Sequence, residues 1–320
     1  MPTARWMCLD GDIVGYADCR IHAFSGAVKY GAGVFEGIRA YWNEADRELY
    51  AFRLKEHVER LRFGMKVQRF EPVYDAGFLE ACIVRTLQAN ELREDTHVRV
   101  IAFLAGDDEL PATAPVGLVV GCVPRPTATT VAKGIRCKIA SIARIADNAL
   151  PPRVKATANY MNNRAAEIEA RRDGYDGALM LTADGRLSEG TGACVFLVRG
   201  GVLITPDVGS DILESITRDT VMTLAREGLG LGVVERRVDR TELYAADEAF
   251  WCGSGQEIVP ILSVDRLDVG SGAVGPVTQG LQKSYFDLVR GHSADHPKWR
   301  EPVWRTGARA EGRPAARQTG

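Results

Sequence analysis

Lys155 stands in the stretch PPRVKATANYMNN, between Val154 and Ala156 and five residues before Tyr160. A lysine that reacts as a free amine needs partial desolvation or a neighbouring cation to lower its pKa, and small apolar neighbours supply the first. Glu189, in RLSEGTGA, follows a strand pattern and is succeeded by small residues as far as Ala193, leaving room for a flat group beside a carboxylate. The same residue reads equally well as a strand-end acid facing water.

Donors for an anion occur in three places. In LESITRD a helix begins, so the amides of Ser215, Ile216 and Thr217 offer unpaired N–H groups and a partial positive charge. Ser215 or Thr217 at such a place is more commonly only a cap. CGSGQE brackets Ser254 with Gly253 and Gly255, letting the backbone turn tightly against a ligand, although alone it is just a turn. Arg53, in AFRLKEH, could clamp a phosphate bidentately or merely pair with a surface acid. An amine, a carboxylate and phosphate donors together suit pyridoxal 5'-phosphate, whose aldehyde needs an amine and whose ring nitrogen needs an acid partner.

The elements that must position these residues follow from periodicity. ELYAFRLKEHVERLRFGMKV passes from a strand ending near Phe52 into a helix whose apolar positions Val58, Leu61 and Met65 recur at helical spacing. His57 on that helix reads as a surface or packing residue. HVRVIAFLAG and VGLVVGCV are β-branched runs bounded by Gly or Pro, the pattern of buried strands. PRPTATTVAKG, residues 124–134, interrupts the periodicity as an interdomain connection does. It divides the chain into a small N-terminal α/β domain, 1–123, and a larger domain with a mixed or antiparallel sheet, 135–291. In that larger part, DGALMLTADGRLSEGTGACVFLVRGGVLITP is a succession of strands with hairpin turns at ADG and RGG. ESITRDTVMTLAREGLG is a helix with Ile216, Val221, Leu224 and Ala225 on its apolar side and a stop at Gly228. The polar stretch 292–320 has no periodicity and is expected to be mobile. His292 and His296 share a spacing seen in metal sites but fall in this solvated tail, so no metal is expected.

Composition narrows the class. A chain of 320 residues with 46% hydrophobic content can bury a large core, and a formal net charge of −2 gives no field that would draw nucleic acid or an anionic membrane. Seven scattered cysteines without a CxxC pair argue for a reducing compartment, and no apolar run has the length of a signal peptide or membrane span. A cytoplasmic protein is expected.

The order of the motifs goes further. YGAGVFEGIRAY, FRLKEHVERL, KATANYMNN, SEGTGACVF, ILESITRD and CGSGQEIVP succeed one another over about residues 6–290 in an order and spacing that resembles the class IV, or fold type IV, pyridoxal-phosphate aminotransferases. VFEGIR and KATANY look like the branched-chain amino acid aminotransferase group within that family.

The resemblance implies a two-domain α/β fold and a role for each motif. Lys155 would be the amine that joins the cofactor aldehyde and then carries a proton between the substrate α-carbon and the cofactor. Tyr160 would bond the ring's phenolic oxygen, and Glu189 would keep the ring nitrogen protonated. Arg53, the amides of Ile216 and Thr217, and Ser254 would hold the phosphate. Tyr30, Phe35 and Gly37 would wall the substrate pocket, with Ser254 and Gly255 taking the α-carboxylate. Arg99 would receive the distal carboxylate of glutamate or 2-oxoglutarate, assisted by Tyr30. A homodimer or a multiple of dimers is implied, with a loop of the neighbouring subunit closing the pocket.

Several positions depart from the family pattern. Cys194 stands where asparagine is common, Ser215 where branched-chain enzymes often have glycine, and His97 where a tyrosine often helps with the carboxylate. The interdomain stretch lacks its frequent aromatic residues. The leading expectation is ping-pong transfer between a branched-chain L-amino acid and 2-oxoglutarate. Alternatives are transfer from an aromatic or specialised amino acid or an amine, an aminodeoxychorismate lyase, which VFEGIR disfavours, and a binding protein that has lost catalysis. Retention of Lys155, Tyr160, Glu189 and Arg53 together argues against the last.

Overall fold

The computed structural model describes residues 4–305. The chain forms a mixed α/β structure around two sheets. Strands β1 (Trp6–Leu9), β2 (Asp12–Gly15), β3 (Gly33–Asn43), β4 (Glu48–Phe52), β5 (Thr96–Leu104) and β6 (Val116–Pro124) belong to the first. The second holds β7 (Ile135–Ile139), β8 (Gly177–Leu181), β9 (Leu187–Gly190), β10 (Cys194–Arg199), β11 (Val202–Thr205), β12 (Gly232–Glu235), β13 (Glu248–Gly253), β14 (Glu257–Val264) and β15 (Leu267–Asp268). A last strand, β16 (Arg300–Pro302), returns to the first sheet, whose order is β16-β4-β3-β5-β6-β1-β2.

Helices α1 (Gly26–Tyr30), α2 (Leu54–Val67), α3 (Ala76–Asn90), α4 (Thr130–Lys133), α5 (Tyr160–Arg172), α6 (Ile216–Glu227) and α7 (Pro276–Val289) complete the fold. The expected apolar stripe of α2 is the one it buries, Val58, Leu61 and Met65 being at most 2% exposed against the first sheet. Truncating a side chain so enclosed, as in Leu61→Ala, costs about 2–5 kcal/mol. On α6, Ile216, Val221, Leu224 and Ala225 are buried and Gly228 is the C-cap, as the sequence predicts. The RGG turn joins β10 to β11 with Gly200 at φ 55° and Gly201 at φ 76°, the left-handed pair that a tight hairpin asks for.

The two sheets meet through a shared cluster. Tyr41 and Phe52 of the first pack with Phe196, Phe250, Leu281 and Tyr285 of the second and its helices. The ordered polypeptide beyond 291 departs from the mobile tail expected of it. β16 pairs antiparallel with β4, Val303 is fully buried, and the carboxylate of Glu48 accepts N–H bonds from Val303, Trp304 and Arg305 at 3.0, 2.8 and 3.2 Å. One aliphatic side chain and one buried acid tie down a stretch whose composition alone suggests disorder. The remainder of the expected tail, 306–320, lies outside the described residues.

Candidate active site

The backbone around Lys155 is laid against β3. Phe35 N–H donates to the Lys155 carbonyl at 2.9 Å, Thr157 N–H to the Gly33 carbonyl at 2.9 Å, and Val34 bridges to Ala156. Asn159 Nδ2 bonds the carbonyls of Pro151 and Val154, both at 3.0 Å, which closes the turn that the two prolines begin. Lys155 is thereby presented half-buried between Val154 and Ala156, which are 1% and 3% exposed. Its Nζ lies 2.5 Å from the Tyr160 hydroxyl, 4.8 Å from the centroid of the Phe35 ring and 4.9 Å from that of Tyr160.

Lys155, Tyr160, Glu189, Phe35, Gly37, Arg99, Ser254 and Gly255 line one cavity. Glu189 sits on β9 with its carboxylate paired to Arg144 Nη2 at 3.0 Å and accepting the Leu213 N–H at 3.1 Å. Burial pushes its pKa up, partly opposed by the Arg144 guanidinium. Arg144 also donates to Asn163 Oδ1 at 2.8 Å, so the acid is held by a network rather than left facing water.

At another part of the wall, α6 begins behind Ser215, whose hydroxyl accepts the Arg218 N–H at 3.2 Å. The hydroxyls of Thr217 and Ser254 are 3.3 Å apart, and Ser254 Oγ lies 3.4 Å from His57 Nε2. His57 Nδ1 is 2.7 Å from Glu36, which also holds Arg60. His57 is therefore no surface residue: it is 1% exposed, and desolvation lowers its pKa despite the Glu36 carboxylate.

Two expected site residues lie elsewhere. Arg53 does not line the cavity: its guanidinium donates to Glu56 at 2.9 Å, Asp219 at 2.5 Å and Thr220 at 3.2 Å, and covers the Trp299 ring at 4.3 Å. As the N-cap of α2 it points along the helix start and across to α6, where Asp219 neutralises it. Arg60 lines the cavity instead. Sequence reasoning missed it, although it stands three positions after the buried His57, a spacing that puts both on one side of α2. Tyr30 is 43% exposed on α1 and lines no part of this cavity. Ile216 and Thr217 are buried at the start of α6, directly after the lining residue Ser215, and the Thr217 hydroxyl lies 3.3 Å from that of the lining Ser254.

The departures cluster here. Cys194 lies 3.4 Å from the Leu213 carbonyl and 3.9 Å from Glu189, and burial pushes its thiol up to about 12. His97 lines the cavity beside Gly37, where a Cβ would approach its Cε1 to 3.0 Å. Of the tail histidines, His296 stacks on Trp299 at 4.0 Å and bonds Glu227 at 2.9 Å. Among the described residues no group of three or more His, Cys, Asp or Glu is arranged to hold a metal ion, and no helix is long and apolar enough to cross a membrane.

An amine against a phenol, a fixed buried acid, and a wall made of the α6 start, the Ser254 hydroxyl and Arg60 are thus gathered in one cavity. The family model for amino-transferase class IV matches residues 33–264, which spans all of them. The chain is a class IV aminotransferase. It is 38% identical to a probable branched-chain-amino-acid aminotransferase of Aquifex aeolicus over 92% of this chain and 96% of that one. To the branched-chain-amino-acid aminotransferase of Escherichia coli K12 it is 36% identical, over 94% and 98%.

Solved structures give the same result for the fold. The branched-chain amino acid aminotransferase of Thermobaculum terrenum, in its PLP form, superposes with a TM-score of 0.89 at 39% identity, covering 95% of this aminotransferase and 99% of the other chain. The branched-chain aminotransferase of the archaeon Thermoproteus uzoniensis, solved with norvaline, does so with 0.89 at 37%, covering 94% and 100%. The fold type IV architecture expected from the sequence is the one this aminotransferase adopts.

Proposed function

We propose that this aminotransferase carries pyridoxal 5'-phosphate and moves an amino group between a branched-chain L-amino acid and 2-oxoglutarate. The observation that carries the reading is Lys155 Nζ at 2.5 Å from the Tyr160 hydroxyl, in the same cavity as the buried Glu189. The donor set fits the cofactor: an amine, a carboxylate fixed by Arg144, and a phosphate end made of the α6 amides, the Ser254 hydroxyl and Arg60. Arg60 takes the part first expected of Arg53. When bound, the cofactor supplies an electron sink for the charge left on the substrate α-carbon.

The residues divide the remaining work. Lys155 removes and returns the proton at the substrate α-carbon as a general base and acid. Tyr160 holds the lysine nitrogen in position, and Glu189 keeps a proton at the ring nitrogen. The turn at Ser254 and Gly255 takes the α-carboxylate, and Arg99 the distal carboxylate of the oxo acid. Phe35 and Gly37 shape the wall between them. Holding these groups in one rigid frame makes the exchange effectively intramolecular.

Assembly and location belong to the same reading. Phe24, Val28 and Tyr30 leave an exposed apolar surface on and before α1, which a second copy would cover in a homodimer, bringing Tyr30 toward the neighbour's pocket. The chain divides at 124–134 into two units built on the two sheets, with β16 returning from the second to complete the first, and it works in the cytoplasm.

Incubation of the purified protein with a panel of branched-chain, aromatic and other amino acids plus 2-oxoglutarate, following glutamate, tests the reaction. Leucine, isoleucine and valine should lead. Pyruvate release from aminodeoxychorismate without amino transfer, or a colourless protein that takes up no cofactor, would overturn it.

A further inference from the structure

His97 and Arg99 stand two residues apart on β5 and so on one face of the strand, opposite Arg39 and Gly37 of β3. Both line the cavity. His97 is 7% exposed, and neither of its ring nitrogens has a hydrogen-bond partner among the described residues. The Arg99 guanidinium lies over the Phe35 ring at 4.8 Å. Arg125, just past the end of β6, joins the same wall, its backbone anchored by an N–H bond to the Asp95 carbonyl at 2.7 Å.

What distinguishes these arginines is the lack of an acid. Arg39, behind them, is neutralised by Glu257 at 3.0 Å, and Arg60 and Arg144 by Glu36 and Glu189. Neither Arg99 nor Arg125 has a carboxylate within ion-pair distance among the described residues. Two guanidiniums on one concave wall concentrate positive potential in the cavity, and a ligand carboxylate would complete both charge-assisted bonds. An aliphatic side chain makes neither bond, so the two guanidiniums act on the dicarboxylic partner alone.

We propose that Arg125 joins Arg99 as a second guanidinium for the distal carboxylate of the dicarboxylic partner, glutamate or 2-oxoglutarate, in the half-reaction that follows the branched-chain one. This rests on the aminotransferase reading and adds Arg125 as a specificity-determining residue for its dicarboxylic half-reaction.

Binding and turnover separate the two claims. The cofactor-loaded protein and its Arg125→Leu variant are titrated calorimetrically with glutarate, an unreactive diacid, and with 4-methylpentanoate, an unreactive aliphatic acid. Arg125→Leu should weaken glutarate binding about tenfold, the size of one charge-assisted bond, and leave 4-methylpentanoate within about twofold of the wild type. In turnover, the ratio of kcat/KM for glutamate to that for leucine should fall by a similar factor. A ratio and a glutarate affinity that both stay within about twofold would overturn the clamp. Absence of amino transfer from every donor would instead overturn the aminotransferase reading, with the titration still deciding whether Arg125 selects diacids.

Discussion

Arg60 clasps the buried carboxylate of Glu36 with two hydrogen bonds, Nε to Oε1 at 2.6 Å and Nη2 to Oε2 at 2.9 Å. Its Nη1 donates to the Glu214 carbonyl at 2.9 Å, one residue before the cap of α6. The Arg60 and His57 charges hold Glu36 far below the usual carboxylate range although burial opposes it. Glu36 therefore orients two side chains of α2 together, Arg60 on the cavity and His57 against Ser254.

Arg60 and Arg53 make opposite predictions at the cofactor phosphate. Arg60→Lys keeps the charge but loses the planar fork, and the affinity for pyridoxal phosphate, measured by absorbance titration, should fall about tenfold. Arg53→Lys disturbs contacts to Asp219, Glu56, Thr220 and Trp299 and none to the cavity, so the affinity should stay within about threefold. Equal losses in the two variants would return Arg53 to the phosphate end.

Tyr160→Phe removes the hydroxyl 2.5 Å from Lys155 Nζ and leaves the ring that packs edge-on against Phe35 at 4.7 Å. Folding should be unaffected, while kcat falls about 100-fold, within the usual range for losing a group that serves proton transfer. Lys155→Ala should abolish transfer altogether. Steady-state rates with 2-oxoglutarate, across pH, check both, and an unchanged pH profile in Tyr160→Phe would remove the phenol from the proton path.

Glu48 is 1% exposed and accepts the N–H groups of Leu49, Val303, Trp304 and Arg305. Glu48→Ala leaves several of these donors buried and unpaired, and should cost about 3 kcal/mol in urea unfolding. A loss under about 0.5 kcal/mol, the size of an ordinary surface change, would mean that the segment after Gly291 contributes little.

The periodic parts of this protein were legible in its sequence, and the networked parts were not. α2, α6 and the glycine turn between β10 and β11 follow from apolar spacing and backbone freedom, which are local properties. Lys155, Tyr160 and Glu189 converge as their motifs suggest. Arg144 gives no local signal, because its role depends on Glu189, 45 positions later in the sequence, reaching it across the second sheet. Arg53 caps α2 and Arg60 lies within it, both in one motif, and their partners, Asp219 on α6 and Glu36 on β3, set which of them faces the cavity. β16 is likewise set by a distant partner, β4, rather than by its own composition.

His97 links the site to acid stability. Burial, aided by the nearby charges of Arg99, Arg125, Arg39 and His57, lowers its pKa to about 3, well below the value of about 6.5 for a free histidine. The folded protein therefore keeps the ring neutral where the unfolded chain already binds a proton. Its contribution is complete above about pH 6.5 and is lost as pH falls toward about 3, at about 1.4 kcal/mol per pH unit. Between pH 6.5 and 5 that amounts to about 2 kcal/mol. His57 is shifted in the same direction and adds its own slope, while the stability given by Glu36 is complete above about pH 4.3 and is lost only below it. His97→Gln removes one titrating group and keeps a polar side chain of similar reach. Urea unfolding of the cofactor-loaded protein without substrate should show a shallower loss of stability in the variant between pH 6.5 and 5. Identical pH dependence in the two proteins would mean that His97 is protonated, or exposed, in the folded state.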